Sequence, residues 1–244
     1  MIDGTIKSGG TLVIQPLPGI GDTVWHLPHL KAISDRTQNK QITLLTKERS
    51  MARQLLAGTR FIRQVLYLTR DGGRHSGLLG GWKLGKDLRS NNFESVWILH
   101  NSIRYALAAS RAGIKERIGY GIGWQNALLT TTNSLSRKEK NLKTIAKATR
   151  LLKNHDIDLV STQPELHLTK EARRSAEILV CRVEKPRIAI AMGSSEPFKQ
   201  WGEENFTKLI KQLRTDHVTS VILLGGKNDI QMANRISIKL SEPK

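Results

Sequence analysis

The chain has 244 residues, enough for one large domain or two small ones, and 39% of them are hydrophobic, which supports a folded core. Lys and Arg total 39 against 21 Asp and Glu, a net charge of +18. Such an excess attracts anionic partners, which leaves nucleic acid, an anionic membrane surface or a phosphorylated substrate as candidates.

Composition also bears on the cellular compartment. No apolar run approaches the ~18 residues of a membrane span, and the first ten residues lack the apolar segment of a signal peptide. A single cysteine, Cys181, excludes an internal disulfide and a cysteine-based metal site, and it is expected to be a buried thiol. These features predict a protein of the reducing cytoplasm.

The first half of the chain alternates short β-rich runs with helical segments, a pattern that favours a parallel sheet with helical crossovers. Strands are predicted at 12–14, 41–46, 64–68 and 95–99, and helices at 22–36 and 48–57. Residues 69–85 are rich in Gly, Arg and Lys, and are predicted to form a long loop over the carboxyl edge of the sheet.

A domain boundary is predicted in the polar stretch at 155–168, which follows a basic helix at 141–154, giving domains 1–160 and 161–244. The second domain repeats the alternation, with strands at 187–192 and 220–224 and helices at 170–180, 203–213 and 229–240. Two parallel strands are few for a self-sufficient open sheet, so this domain is expected to be the less stable half.

A glycine-rich turn with an acidic residue follows the first predicted strand. Gly19 and Gly21 permit a tight turn and close approach of a ligand, and Asp22 falls at or near the start of a helix. An aspartate there either caps the helix or acts on a ligand bound at this edge of the sheet. The segment does not match GxGxxG, because position 24 is Val.

A second turn of small residues, Gly193-Ser194-Ser195, follows the predicted strand at 187–192. Its hydroxyls and backbone N–H groups, together with the cation of Lys199, are suitable partners for a diphosphate. Trp201 enters the next helix, where it packs either beside a base or, as is more common for such a tryptophan, in the core. The turn therefore predicts a site for an anionic ligand.

A third turn, Gly225-Gly226, follows the last predicted strand and lies at the same edge of its sheet. Asp229 comes three residues later. Its carboxylate either accepts hydrogen bonds from ribose hydroxyls or caps the following helix, and the sequence leaves both interpretations open.

Taken in order, the three turns resemble glycosyltransferase family 9, the heptosyltransferases of lipopolysaccharide core assembly. That family has a Gly-Asp pair after its first strand with a proline in the helix, then a small-residue turn with a Lys-x-Trp run, then a Leu-x-Gly-Gly turn with an acidic residue. The corresponding residues are Gly21, Asp22 and Pro28, then Gly193, Ser194, Ser195, Lys199, Trp201 and Phe206, then Leu223, Gly225, Gly226 and Asp229. The resemblance spans nearly the whole chain.

The resemblance implies an α/β fold of the GT-B type, with two Rossmann-like domains built on parallel sheets. The first domain would bind the acceptor and the second the nucleotide-sugar. Family members transfer heptose from an ADP-sugar with inversion and need no metal to bind the sugar. The resemblance therefore implies no cofactor besides the donor substrate, an anionic glycolipid acceptor, transient contact with an anionic membrane surface, a cytoplasmic location and no nucleic-acid partner.

The resemblance also implies residue roles. Asp22 would be the general base that takes the proton of the acceptor hydroxyl. The donor would be bound by the second and third turns, with Asp229 near the ribose, through Ser194, Ser195, Lys199, Gly225, Gly226 and Asp229. The phosphates and carboxylates of the acceptor would be bound by residues of the first domain, namely Gly21, Arg70, Arg74, Lys83 and Arg104.

One family signature is missing. It is an Asp followed by a small-residue turn and a His, which closes over the donor diphosphate, and nothing after Leu240 supplies it. The second domain is therefore expected to be incomplete, in either a fragment or a short family member. Two other functions remain open: a relative that binds acceptor or nucleotide without turnover, and a basic nucleic-acid binder, although only 5% of the residues are aromatic for stacking.

Overall fold

The computed structural model describes residues 9–69, 73–194, 197–215 and 220–241. The chain divides into two compact units, one ending at Thr169 and the other beginning at Lys170. The boundary predicted from the sequence lies after residue 160. Within the described ranges, no helix is long and apolar enough to cross a bilayer.

The first unit is built around a five-stranded parallel sheet. Its strands are β1 (Thr11–Ile14), β2 (Ile42–Lys47), β3 (Ile62–Leu68), β4 (Ser95–Ile98) and β5 (Glu116–Gly119), in the order β3-β2-β1-β4-β5. The central strand β1 pairs with β2 on one side and β4 on the other. Leu12, Val13 and Ile14 are fully buried, as expected of a parallel strand covered on both faces.

Helices cover both faces of this sheet. They are α1 (Ile20–Asp35), α2 (Ala52–Leu55), α3 (Gly80–Arg89), α4 (Ile103–Arg111) and α5 (Thr144–Asn154). The apolar residues of α1, α2 and α5 pack in one core cluster with Val13 and Leu44. Those of α3 and α4 pack in a second cluster with Leu12 and Ile14. The first unit is therefore a three-layer α/β structure.

The prediction of a loop across 69–85 is wrong in its last part, because α3 begins at Gly80. Its glycines are required by close packing on α4. A Cβ at Gly81 would lie 2.9 Å from Cγ of Arg104, and one at Gly85 would lie 2.6 Å from Cβ of Arg111. Glycines that indicate a loop in the sequence are here the contact surface between two helices.

Two other differences concern short elements. The helix predicted at 48–57 is a 3-10 turn and the short α2, separated at Met51, whose φ of +51° is left-handed. No element was predicted from the sequence at α4 or β5, which complete the sheet and its second covering layer. Both elements are only four to nine residues long, too short for a clear periodic signal.

The second unit contains α6 (Lys170–Val180), β6 (Arg187–Ala191), α7 (Glu203–Thr215), β7 (Ser220–Leu224) and α8 (Ile230–Ser241), with β6 and β7 paired in parallel. Its core cluster consists of Ile190, Met192, Phe206, Ile210 and Ile236. No residue of α6 is buried. The prediction that Cys181 is buried is wrong: the thiol is exposed, because it follows a helix that covers no core.

Candidate functional site

The strand order of the first unit identifies where a ligand is expected to bind. The chain moves outward from β1 to β2 and β3, and then returns to the other side of β1 with β4 and β5. The order therefore reverses between β1 and β4. In open parallel sheets ligands bind at such a reversal, in the crevice outside the carboxyl ends of the strands. The turn that carries Asp22 leaves β1 at this edge.

The carboxylate of Asp22 is held in place by the helix it begins. Gly19 is the N-cap of α1 and Asp22 is the third residue of the helix, where its Oδ2 accepts a hydrogen bond from the Gly19 backbone N–H at 3.1 Å. A Cβ at position 19 would lie 2.7 Å from that oxygen, so glycine leaves room for the carboxylate. The other oxygen, Oδ1, accepts no hydrogen bond from the described residues. Asp22 thus caps the backbone through one oxygen, and the described part of the chain leaves the second available.

A buried polar cluster lies beneath this turn. The Nδ1–H of His26 donates to the backbone carbonyl of Asp22 at 2.6 Å, and the Gln15 amide lies 3.3 Å from the same nitrogen. The hydroxyl of Thr46, near the end of β2, donates to the side-chain Oε1 of Gln15 at 3.5 Å. Burial lowers the pKa of His26, against the opposing effect of the Asp22 carbonyl. A neutral imidazole therefore supports the first turn of α1.

A second polar cluster joins β3 to α3. The Thr69 backbone N–H donates to Nδ1 of His75 at 3.2 Å, so Nε2 carries the proton and donates to Asp87 at 3.0 Å. Arg74 donates to both oxygens of Asp87, at 2.7 and 2.8 Å. Partial burial opposes ionisation of Asp87, but the bonds from Arg74 and His75 outweigh it and lower its pKa. Arg74 was predicted to bind the acceptor substrate, but here its guanidinium is paired within the protein.

The other residues predicted to bind the acceptor substrate differ in burial and in hydrogen bonding. Nη1 of Arg104 donates to the His75 carbonyl at 3.1 Å, and its stem packs against the glycines of α3. Lys83 is half-buried on α3, and Gly21 is exposed in the first turn of α1. Arg70 lies outside the described residues. These residues follow β1, β3 and β4, strands of one parallel sheet whose carboxyl ends share an edge, although β2 lies between β3 and β1.

In the second unit, the turns after β6 and β7 form the two sides of one open cleft of about 840 Å³. Four predicted donor residues line it: Ser194, Gly225, Gly226 and Asp229. The structure thus brings together turns that are about thirty residues apart in sequence, because β6 and β7 are adjacent parallel strands with both carboxyl ends at this edge.

The side chain of Asp229 packs between the two turns. Its Oδ2 accepts the Gly226 backbone N–H at 2.7 Å. A Cβ at Gly193 would collide with the same oxygen, and one at Gly225 would lie 2.7 Å from Cβ of Asp229. The pairing of a glycine N–H with an aspartate three residues later repeats the arrangement of Gly19 and Asp22 in the first unit.

Lys199 does not line this cleft. Its ammonium lies 5.4 Å from the centroid of the Phe198 ring, and both side chains are exposed. Trp201 is 52% exposed rather than packed in the core, and meets the buried ring of Phe206 edge to face at 5.1 Å. Ser195 lies outside the described residues.

The cleft is also lined by polar residues that were not predicted from the sequence: Gln200, Lys227, Asn228, Gln231 and Arg235. Asn228 adjoins Asp229 in the same turn, so its position was visible in the sequence. The position of Arg235 could not be predicted in this way, because Arg235 reaches the cleft from α8. Its guanidinium pairs there with Glu203 of α7 at 2.5 Å. Only the packing of α7 on α8 places that cation.

Comparison with known proteins decides the family. Residues 81–243, well over half of the chain, match glycosyltransferase family 9 (heptosyltransferase). The chain belongs to this family. Lipopolysaccharide heptosyltransferase 2 from Escherichia coli strain K12 is 25% identical over 167 residues, which cover 65% of this chain and 48% of that protein. The chain therefore spans about half the length of this curated relative.

Solved structures of two heptosyltransferases and of one family 9 protein share the fold. The E. coli ADP-heptose LPS heptosyltransferase II superposes with a TM-score of 0.64 at 23% identity, covering 93% of this chain and 67% of that one. A glycosyl transferase family 9 structure from Veillonella parvula gives 0.73 at 17% identity, covering 99% and 69%. The E. coli heptosyltransferase WaaC with ADP gives 0.62 at 13%, covering 96% and 74%. The predicted GT-B fold is confirmed.

Proposed function

We propose that this family 9 chain transfers a heptose, or a closely related sugar, from an ADP-sugar to a hydroxyl of a lipopolysaccharide core acceptor, with inversion at the anomeric carbon. Family membership supports glycosyl transfer. Similarity to lipopolysaccharide heptosyltransferase 2 supports a lipopolysaccharide acceptor. The ADP bound in the similar structure of heptosyltransferase WaaC supports an ADP-sugar donor.

The observation that carries the proposal is the position of Asp22. Its carboxylate lies at the reversal of strand order, fixed through Oδ2 by the Gly19 N–H, while Oδ1 has no partner among the described residues. In the proposed reaction Oδ1 takes the proton of the acceptor hydroxyl as that oxygen attacks the anomeric carbon. The bond from that carbon to the diphosphate breaks on the opposite face, and ADP leaves with the bonding electrons.

In this proposal the donor diphosphate binds at the cleft of the second unit. Ser194, Gly225 and Gly226 offer hydroxyl and backbone groups at the ends of two adjacent strands. Asp229 retains one oxygen for a ribose hydroxyl while the other holds the Gly226 N–H. Ser195 belongs to the same proposed set, and Lys199 would turn its exposed ammonium from Phe198 toward the phosphates.

The acceptor side of the proposal rests on the basic edge of the first unit. Lys83, Arg70, Arg74 and Arg104 would attract the phosphates and carboxylates of a core oligosaccharide, and Gly21 would allow it to approach the turn of Asp22 closely. Arg74 can contact an anion only by sharing its charge with Asp87. Because the proposed acceptor is a glycolipid, the proposed reaction takes place at a membrane surface, and the cytoplasmic location implied by the family resemblance puts it on the cytoplasmic face.

The test is an assay of ADP release with ADP-heptose and a heptose-deficient lipopolysaccharide core. Asp22→Asn keeps an oxygen that can accept the Gly19 N–H, so the fold is retained, while the loss of the base lowers turnover by about 10²-fold or more. Asp35→Asn is the matched control, because Asp35 lies at the other end of α1 and pairs only with Lys31 among the described residues.

Three results are informative. Loss of transfer in Asp22→Asn alone supports the proposal. Near-parental turnover in Asp22→Asn leaves helix capping as the role of this residue. Binding of ADP by the parent chain without transfer to any core acceptor favours the alternative function, a relative that binds its ligands without turnover.

A further inference from the structure

An exposed apolar surface lies on the outer side of α3 and α4. It is formed by five large hydrophobic side chains that are between 40% and 100% exposed, and we call it the α3–α4 patch: Leu78, Leu79, Trp82, Ile103 and Leu107. Scattered exposed hydrophobic residues are common on proteins, whereas a contiguous group marks an interaction surface.

Contacts and helical spacing show that the group is contiguous. The guanidinium of Arg111 on α4 lies over the Trp82 ring of α3, 4.7 Å from its centroid. Leu107 precedes Arg111 by one helical turn and Ile103 precedes Leu107 by another, so the three share a face of α4. Leu78 and Leu79 lie in the turn that leads directly into α3, ahead of Trp82, and the close approach of α3 to α4 through Gly81 and Gly85 places this end of α3 beside the exposed face of α4.

The charge around the patch has one sign. The two helices contain five basic residues, Lys83, Lys86, Arg89, Arg104 and Arg111, and a single acid. That acid, Asp87, has a side chain only 8% exposed and is neutralised by Arg74. Lys86 follows Trp82 by one turn, so cation and indole lie on the same side of α3. Apolar side chains bordered by cations match the boundary between acyl chains and anionic headgroups.

The position of the patch suits an acceptor that is anchored in a membrane. Both α3 and α4 begin at the carboxyl edge of the sheet, the edge at which the Asp22 turn leaves β1. Leu78, Leu79 and Ile103 lie at these helix starts. A bilayer that contacts the patch would lie beside the crevice of the proposed acceptor site.

We propose that the α3–α4 patch is a docking surface for an anionic phospholipid bilayer, with Leu78, Leu79, Trp82, Ile103 and Leu107 at the acyl boundary and Lys86 and Arg111 at the headgroups. The biological purpose of this contact rests on the proposed transfer to a glycolipid, but the contact itself is measured without donor or acceptor. Failure of the transfer assay would therefore leave the vesicle-binding result valid, and failure of vesicle binding would leave the transfer result valid.

The test is co-sedimentation of the full chain with vesicles of phosphatidylethanolamine and phosphatidylglycerol, compared with vesicles of phosphatidylcholine alone. Leu78→Ser combined with Leu107→Ser is expected to lower partitioning into the anionic vesicles about tenfold. Lys86→Glu is expected to lower it by a similar factor. The controls are Val160→Ser, which changes an equally exposed apolar residue of the first unit, and Lys138→Glu, which reverses an exposed cation elsewhere.

A second measurement locates the contact. Brominated phospholipids quench tryptophans that enter the acyl boundary, and the quenched fraction should fall in Trp82→Phe. Undiminished vesicle binding in the Leu78/Leu107 double variant, equal loss in the controls, or no binding by the parent chain would overturn the proposal. So would self-association of the parent that the double variant abolishes without changing vesicle binding, since a second copy would then be the occupant.

Discussion

The two units use the same alternation of strands and helices, but they bury their residues very differently. In the first unit the central strand β1 is buried on both faces, and helices of both layers contribute fully buried side chains. In the second, β6 and β7 are mostly half-buried or exposed, and α6 buries no residue at all. Burial of apolar area is the main source of folding free energy, so the same motif gives unequal local stability.

The sites nevertheless resemble one another. Each unit places an aspartate three residues after a glycine whose N–H it accepts, at the carboxyl end of a parallel strand. A turn can therefore form all of its local hydrogen bonds while the core beneath it is small. Function at the donor cleft is therefore expected to depend on the stability of the second unit more than function at Asp22 depends on that of the first.

The largest expected difference is in hydrogen exchange. The amides of β1 and β4 should exchange only on global unfolding of the first unit, whereas those of β6 and β7 should exchange through local opening, faster by about 10³-fold or more. Mass spectrometry of peptides covering 11–15 and 187–191 measures this contrast. Equal protection of the two peptides would remove the basis of the comparison.

Side-chain truncation should show the same inequality. Leu12→Ala removes a fully buried side chain from β1 and should lower the free energy of unfolding of the first unit by about 3–5 kcal/mol. Val221→Ala removes a half-buried one from β7 and should cost the second unit about 1 kcal/mol or less. Urea denaturation, monitored by hydrogen exchange in each unit, measures the loss of free energy of unfolding in both variants. A larger loss in Val221→Ala than in Leu12→Ala would contradict the prediction.

Acid should affect the first unit before the second. Burial, with a smaller contribution from His26, lowers the pKa of His29 to about 4. Its Nε2–H donates to Thr149 at 2.8 Å, and its Nδ1 has no partner among the described residues. In the unfolded chain His29 is protonated with an ordinary pKa near 6.5, so the stability that neutral His29 contributes to the first unit is fully present above that pH. It should fall by up to about 3 kcal/mol as the pH drops to about 4.

The variant His29→Gln keeps a donor for Thr149 and should flatten this slope between pH 6.5 and 4. In the second unit, hydrogen bonds from Arg235 and Lys239 lower the pKa of Glu203, so its contribution is present above the ordinary glutamate pKa and is lost at lower pH. Thermal unfolding at stepped pH measures both. An unchanged slope in His29→Gln would assign the acid sensitivity to other groups.

The smallest expected effect is at Cys181. Because the thiol is exposed after a helix that buries nothing, it should react with a disulfide reagent in the native protein almost as fast as in the denatured chain. Replacement by serine should change the free energy of unfolding by no more than about 0.5 kcal/mol. A thiol that reacts only after denaturation would show that this part of the second unit is covered.

The strands and the turns of the site could be predicted from the sequence for a local reason. A run such as Leu12 to Ile14 followed by glycines carries its own signal, and three such turns in a fixed order are specific enough to indicate the family. The helix Lys170–Val180 was predicted with its observed bounds, but the sequence could not show that it buries nothing.

By itself, the sequence determined the α/β alternation, the positions of every strand except β5 and the residues at the turns, since these depend on periodicity and on the backbone freedom of glycine. The tertiary structure alone decided which distant residues meet. It made helix contacts of Gly81 and Gly85, placed Arg235 at the donor cleft and paired Arg74 with Asp87. It also left Cys181 and the α3–α4 patch exposed. Burial and pairing are properties of packed neighbours, and neighbours far apart in sequence are set only when the whole chain folds.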